Sequence, residues 1–143
     1  MESRSPILHS VPDLDSLDRL AVAFVEGLSV RDVVCLSGPL GAGKTTFVRS
    51  CVRAMGYEEV VKSPTFNIIQ TFETVLPVLH ADLYRLASAT GFGLEDLFET
   101  HVSFIEWPDR LAGMLDPDEV YWVEIEFAEI GRTVTVTPPF EGR

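Results

Sequence analysis

Nine residues constrain this chain more than any others: Gly38-Pro39-Leu40-Gly41-Ala42-Gly43-Lys44-Thr45-Thr46. They fit the pattern Gly-x4-Gly-Lys-Thr. An apolar run, Val33-Val34-Cys35-Leu36, stands before them and an amphipathic segment follows. Strand, glycine loop and helix in that order form a cradle for a polyphosphate. Glycines allow backbone N–H groups, here those of Gly41, Ala42 and Gly43, to turn inward at close range. The helix beyond points its positive end at the same place. Lys44 can reach the β- and γ-phosphates, the Thr45 hydroxyl can ligate magnesium, and Thr46 can meet the α-phosphate. A chance glycine turn before a lysine is the bland alternative, and the flanking strand and helix argue against it. The motif implies nucleotide binding and leaves the reaction open.

The rest of the chain reads as alternating elements. Leu14, Leu17, Ala21, Phe24 and Leu28 recur at helical spacing over Asp13 to Leu28, with Asp13 as N-cap. After the loop, Phe47, Val48, Cys51, Val52 and Met55 form one helical face, and Gly56 ends it. Asn67 to Glu73 and Leu76 to His80 are expected as paired strands. Gly91 to Glu99 and Asp109 to Leu115 are expected as short helices, with the strand Val102 to Ile105 between them. Tyr121 to Phe127 and Arg132 to Thr137 alternate as strands about a turn at Glu129-Ile130-Gly131. The pattern predicts one α/β domain over 1–143, with about 1–12 and 138–143 as loose ends. Its helices layer on a mixed, mainly parallel sheet with an antiparallel portion.

A phosphate loop that hydrolyses its ligand needs an acid at the end of another strand. Asp82 closes Leu76 to Ala81, and Glu106 closes Val102 to Ile105; both remain candidates, with Glu106 favoured. Thr65, in the proline-containing loop after the second helix, stands where a γ-phosphate-sensing segment would sit, and a turn-capping threonine explains it equally well. Arg85 is read as a surface pair and Trp107, on its own, as core. His9, His80 and His101 form no metal-ligand pattern, and His80 is read as a local structural group.

Composition narrows the partners. Twenty-two acids against eleven bases give a net charge of -11. Extended contact with a nucleic-acid backbone needs the opposite charge, so RNA would be reached through another protein. An anionic membrane is disfavoured in the same way. Cys35 and Cys51 match no zinc spacing and read as buried thiols. The N-terminal residues lack the apolar centre of a signal peptide, and no run approaches the length of a membrane span; a cytoplasmic protein is expected.

Four blocks together resemble the TsaE (YjeE) family: Leu-Gly-Ala-Gly-Lys-Thr-Thr-Phe (Leu40 to Phe47), Lys-Ser-Pro-Thr-Phe (Lys62 to Phe66), His-x-Asp-Leu-Tyr-Arg (His80 to Arg85) and Ile-Glu-Trp-Pro (Ile105 to Pro108). The resemblance runs from about Asp13 to Thr137. The glycine loop is generic, and the other three blocks are specific. The resemblance implies a three-layer P-loop NTPase fold that binds ATP with Mg2+ and hydrolyses it slowly alone. It implies a complex with the TsaD transferase and its TsaB companion, which places threonylcarbamoyl on the adenosine beside the tRNA anticodon. By the same resemblance Lys44 and Thr45 serve phosphates and metal, and Glu106 is the metal acid. Asp82 lies in the nucleotide site, Trp107 beside Glu106, and Thr65 in the switch-like loop. Arg132, after Gly131, matches a basic nucleotide contact. Pro39 departs from the family, where an acid or amide is common, and the N-terminal segment matches no motif.

Three readings stay open. A switch ATPase releases phosphate to water. A small-molecule kinase needs a second substrate, and an arginine-bearing lid for it is missing from this short chain. A bare nucleotide-binding module would not depend on Glu106. Adenine over guanine rests on the resemblance, together with the lack of an Asn-Lys-x-Asp motif.

Overall fold

The computed structural model describes residues 5–58, 68–84, 93–111 and 113–140. Seven strands form one sheet in the order β1-β7-β6-β2-β5-β4-β3. In chain order they are β1 (Ile7–Val11), β2 (Val33–Ser37), β3 (Ile69–Glu73), β4 (Pro77–Asp82), β5 (Val102–Glu106), β6 (Tyr121–Phe127) and β7 (Arg132–Thr137). The helices are α1 (Leu14–Val25), α2 (Lys44–Ala54) and the short α3 (Leu94–Phe98), with 3-10 turns at Pro108–Leu111 and Pro117–Glu119.

The centre is parallel: β2 pairs with β5 and β6, and β5 with β4. Both flanks are antiparallel, through β3–β4 on one side and β6–β7–β1 on the other. Three ladders of each kind make the sheet evenly mixed, which corrects the expectation of a mainly parallel one. Tight connections on the flanks explain it. The β3–β4 and β6–β7 links are too short for a crossover, so these strands must return antiparallel.

Alternation along the central strands divides the core. Val34, Leu36, Val78, Val102 and Phe104 pack with Phe47, Val48 and Val52 of α2 and with Leu17 and Ala21 of α1. Their neighbours Val33, Cys35, Leu79, Ala81 and Ile105 pack on the opposite face with Leu94 and Phe98 of α3. A two-residue period sends alternate side chains to opposite faces, so central strands buried on both sides read as continuous apolar runs. Burial pushes the Cys35 thiol up to about 12 and Cys51 well above its ordinary value. Both thiols are free and buried.

Several boundaries differ from expectation: β4 runs on to Asp82, and the helix expected over Asp109 to Leu115 is a 3-10 turn at Pro108–Leu111. Ile7–Val11, within the stretch expected to be loose, is a strand paired in register with Arg132–Val136. Helix α1 starts after its Asp13 cap, whose carboxylate accepts from Ser16 N at 2.8 Å, but ends at Val25 rather than Leu28. Leu14 was placed on its buried face and is 67% exposed. Among the described residues no helix is long and apolar enough to cross a membrane.

Candidate active site

The glycine loop joins the buried end of β2 to the first turn of α2. Gly38 has φ 141°, and a Cβ there would stand 2.2 Å from the Ile125 carbonyl oxygen of β6. Only glycine permits that approach, so the loop begins by leaning on the neighbouring parallel strand. A turn follows, with Ala42 N donating to the Pro39 carbonyl at 3.1 Å, and α2 opens with Phe47 N donating to Gly43 O at 2.9 Å. Pro39 fits this turn.

Lys44 is folded back over the loop. Its Nζ donates to the carbonyls of Gly38 at 2.5 Å and Pro39 at 3.3 Å, and lies 4.3 Å from the centroid of the Trp107 ring. Burial lowers the Lys44 pKa, while Glu106 and Asp82 pull it back up. A cation held by neutral carbonyls and a ring face is one that phosphate oxygens can claim, because charge-assisted bonds are the stronger kind.

Strands β4 and β5 bring in the acids. Their parallel register sets Asp82 opposite Glu106, which brings the two strand-end carboxylates to one place at the end of the sheet. Glu106 is buried, and its Oε2 accepts from Thr45 Oγ1 at 2.7 Å. His80 Nε2 lies 2.7 Å from the same oxygen. Burial, then the nearby Glu106 charge, raises the Asp82 pKa. Trp107 follows with φ 62° and stacks against Tyr84, ring centroids 4.9 Å apart. The left-handed turn brings the tryptophan over Lys44, and the ring, partly buried, also packs against the core cluster beneath it.

Two cavities flank the loop and share Gly41, Gly43 and Thr46. One, of about 230 Å³, is walled by Lys44, Thr45, Asp82, Tyr84, Glu106 and Trp107. The other, of about 270 Å³, lies between Ala42, Arg132, Ile125 and the N-terminal residues Val11, Pro12, Asp13, Leu14 and Leu17. Arg132 Nε donates to the Ala42 carbonyl at 2.8 Å, and its guanidinium stands 4.7 Å from the centroid of the Phe127 ring. Lys44, Thr45, Thr46, Asp82, Glu106, Trp107 and Arg132 therefore converge on one loop. Thr65 and Arg85 lie outside the described residues.

The oxygen-rich pair Thr45 and Glu106 fits a hard divalent cation, which binds through one or two side chains plus phosphate oxygens. No group of three or more acid, histidine or cysteine side chains that could cage a metal occurs among the described residues. The N-terminal wall is what sequence reasoning missed. Its only local signal is Val11-Pro12 ahead of the Asp13 cap, and it becomes a wall through β1 pairing with β7.

The family described as Threonylcarbamoyl adenosine biosynthesis protein TsaE matches residues 11–134. The chain is 37% identical over 109 residues to the tRNA threonylcarbamoyladenosine biosynthesis protein TsaE of Treponema pallidum, covering 73% of this chain and 80% of that one. It is 33% identical over 115 residues to the protein of that name from Rickettsia conorii, covering 77% and 66%. Among solved structures, Bacillus subtilis YdiB superposes with a TM-score of 0.78 at 28% identity, over 96% of this chain and 87% of that one.

Proposed function

The chain belongs to the TsaE family, and from that premise we propose that it is the magnesium-dependent ATPase subunit of the assembly that makes N6-threonylcarbamoyladenosine in tRNA. The observation that carries the reading is the Thr45–Glu106 hydrogen bond of 2.7 Å beside the Lys44 loop. It joins the first turn of α2 to a strand-end acid, as a phosphate-transfer site with a divalent cation requires.

In this reading ATP lies along the loop. Its phosphates enter the cavity of Lys44 and Glu106, and its nucleoside end turns toward Val11, Leu17 and Arg132. Lys44 exchanges the Gly38 and Pro39 carbonyls for β- and γ-phosphate oxygens. Backbone N–H groups from Gly41 to Thr46 and the α2 N-terminus hold the remaining phosphate charge. Thr45 and Glu106 would hold Mg2+, which would supply charge neutralisation for the phosphoryl group bound beside Lys44. Asp82, with its raised pKa, is placed to orient the attacking water. Trp107 closes one side against Lys44.

The partners are the TsaD transferase and TsaB, and the compartment is the cytoplasm. A net charge of -11 suits a subunit that meets tRNA only through them. Hydrolysis resets the transferase between turnovers and takes no part in moving the threonylcarbamoyl group.

Phosphate release from ATP by the purified chain, alone and with the TsaB–TsaD pair, tests this. Turnover without an added acceptor, stimulation by the pair and loss in Glu106→Ala support it. Release that requires a small-molecule acceptor would replace it with the kinase reading.

A further inference from the structure

His80 is buried in the sheet, with a side chain 1% exposed, and touches neither loop cavity. Its placement follows from strand geometry. Val78, His80 and Asp82 share the face of β4 that looks toward α2, and Glu106 is in register with Asp82. His80 thus stands one rung back from the acid pair. Its Nε2 reaches across to Glu106 Oε2 at 2.7 Å. A carboxylate only accepts, so the imidazole N–H donates.

The same Oε2 accepts from Thr45 Oγ1 at 2.7 Å. Both bonds fall on one oxygen, and Glu106 Oε1 takes part in neither. The Thr45 hydroxyl spends its single proton on Glu106 and keeps its lone pairs for a cation. The other ring nitrogen, His80 Nδ1, is buried with no hydrogen-bond partner among the described residues. A buried polar atom left in this way costs stability, and an apolar side chain would avoid the cost. The imidazole is therefore better explained by what its Nε2 does than by packing.

We propose that His80 is a positioning residue: it locks the Glu106 carboxylate against Thr45, and so sets the divalent-cation affinity of the site and its turnover without touching nucleotide. The inference rests on the ATPase reading above. Among the described residues, Glu106 without the second donor is held only by Thr45, on the helix that follows the phosphate loop. Groups that orient a metal's ligands change affinity or activity by about 10–100-fold when removed.

The test compares the full chain with His80→Phe, which fills the space and lacks a donor, and His80→Gln, whose amide can reach Glu106. Mn2+ affinity of the ADP-bound protein is read by electron paramagnetic resonance of free Mn2+. ADP affinity in EDTA is read by calorimetry, and kcat and KM for ATP by phosphate release. In His80→Phe, Mn2+ affinity and kcat should fall about tenfold or more, while ADP affinity in EDTA and KM hold within about twofold. His80→Gln should recover most of both. If His80→Phe does not fold, His80→Asn, with a shorter amide, takes its place with the same expected loss. Wild-type Mn2+ affinity in the donor-less variant, or equal damage in His80→Gln, overturns the positioning role. So does an equal loss of ADP affinity in EDTA, which marks a general collapse. A wild-type chain that binds no nucleotide overturns the ATPase reading and this inference with it; a wild-type chain that hydrolyses ATP beside unaffected variants overturns this inference alone.

Discussion

Arg132 Nε donates to the carbonyl oxygen of Ala42 at 2.8 Å across a separation of 90 residues. The bond ties the first residue of β7 to the middle of the glycine loop. It gives Arg132 a role that needs no ligand, because the loop itself leans on it. Removing a charged donor from a partly buried carbonyl costs about 1.5–3 kcal/mol. Arg132→Ala should weaken ADP binding by about tenfold or more, since 1.4 kcal/mol is tenfold in affinity. Arg132→Lys should recover little, because lysine lacks both the planar fork and the stack on Phe127. Calorimetric titration of the two variants with ADP checks this, and wild-type affinity in Arg132→Ala would remove the residue from the site.

Lys44 carries a sharper expectation. Its Nζ already has the Gly38 and Pro39 carbonyls and the Trp107 ring. Its worth to a ligand is the difference between those neutral partners and phosphate oxygens. That difference grows with phosphate charge, so Lys44→Ala should cost more affinity for ATP than for ADP. About 2 kcal/mol, or some thirtyfold, is the scale for ATP. Parallel titrations with the two nucleotides and Mg2+ measure it, and an equal loss for both would place Nζ away from the terminal phosphate.

The legible parts of the site were those written locally. The loop motif, the strand before it and the helix after it sit within one stretch of chain, and their periodicities name them. Asp82 and Glu106 were each visible as strand-end acids, but sequence set them as rivals. Only the β4–β5 register shows that they face each other. His80 was read as a local structural group, because no spacing along the chain announces a bond to Glu106, 26 residues on. β1 escaped notice for the same reason: Ile7–Val11 is short and terminal, and its partner β7 lies at the far end of the sequence. The N-terminal wall of the larger cavity depends on that pairing, so it could not be read from its own residues.

Gly131 supplies a test of that wall. A Cβ at this position would fall 2.2 Å from the Val11 carbonyl oxygen and 2.6 Å from Pro12 Cα, at a φ of +72°. Backbone cannot yield as a flexible side chain can, so Gly131→Ala must shift β1 or the β6–β7 turn. Strain of this kind costs about 1–3 kcal/mol. Thermal unfolding should show Tm falling by several degrees, with ADP binding weakened as Val11 and Pro12 move from the cavity. Glu129→Ala, exposed in the same turn, should stay within about 0.5 kcal/mol of wild type. A Gly131→Ala protein as stable as wild type would mean that β1 is not held against this turn.

Asp82 predicts a trade of stability against function, with a definite pH signature. Its carboxyl is pushed above the ordinary value of 3.8, first by burial and then by the Glu106 charge. A folded-state pKa above the unfolded one means that the folded chain holds the proton more tightly. Below the unfolded value both states are protonated and there is no penalty. As pH rises through the window above 3.8 the folded state ionises at a cost, and above the folded pKa the full cost is present. Asp82→Asn removes the charge while its amide oxygen can still accept from Tyr84 N, as Asp82 Oδ1 does at 3.2 Å. Metal-free Asp82→Asn should therefore unfold at higher temperature than wild type at pH 7, with the gap closing toward pH 4, while ATP turnover is lost. The carboxylate is only half-buried, which keeps the gain below about 1 kcal/mol. Melting curves of both proteins in EDTA from pH 4 to 7.5 measure it, and a gap that stays constant with pH, or a wild type more stable at pH 7, would show that the acid pair is not under electrostatic strain.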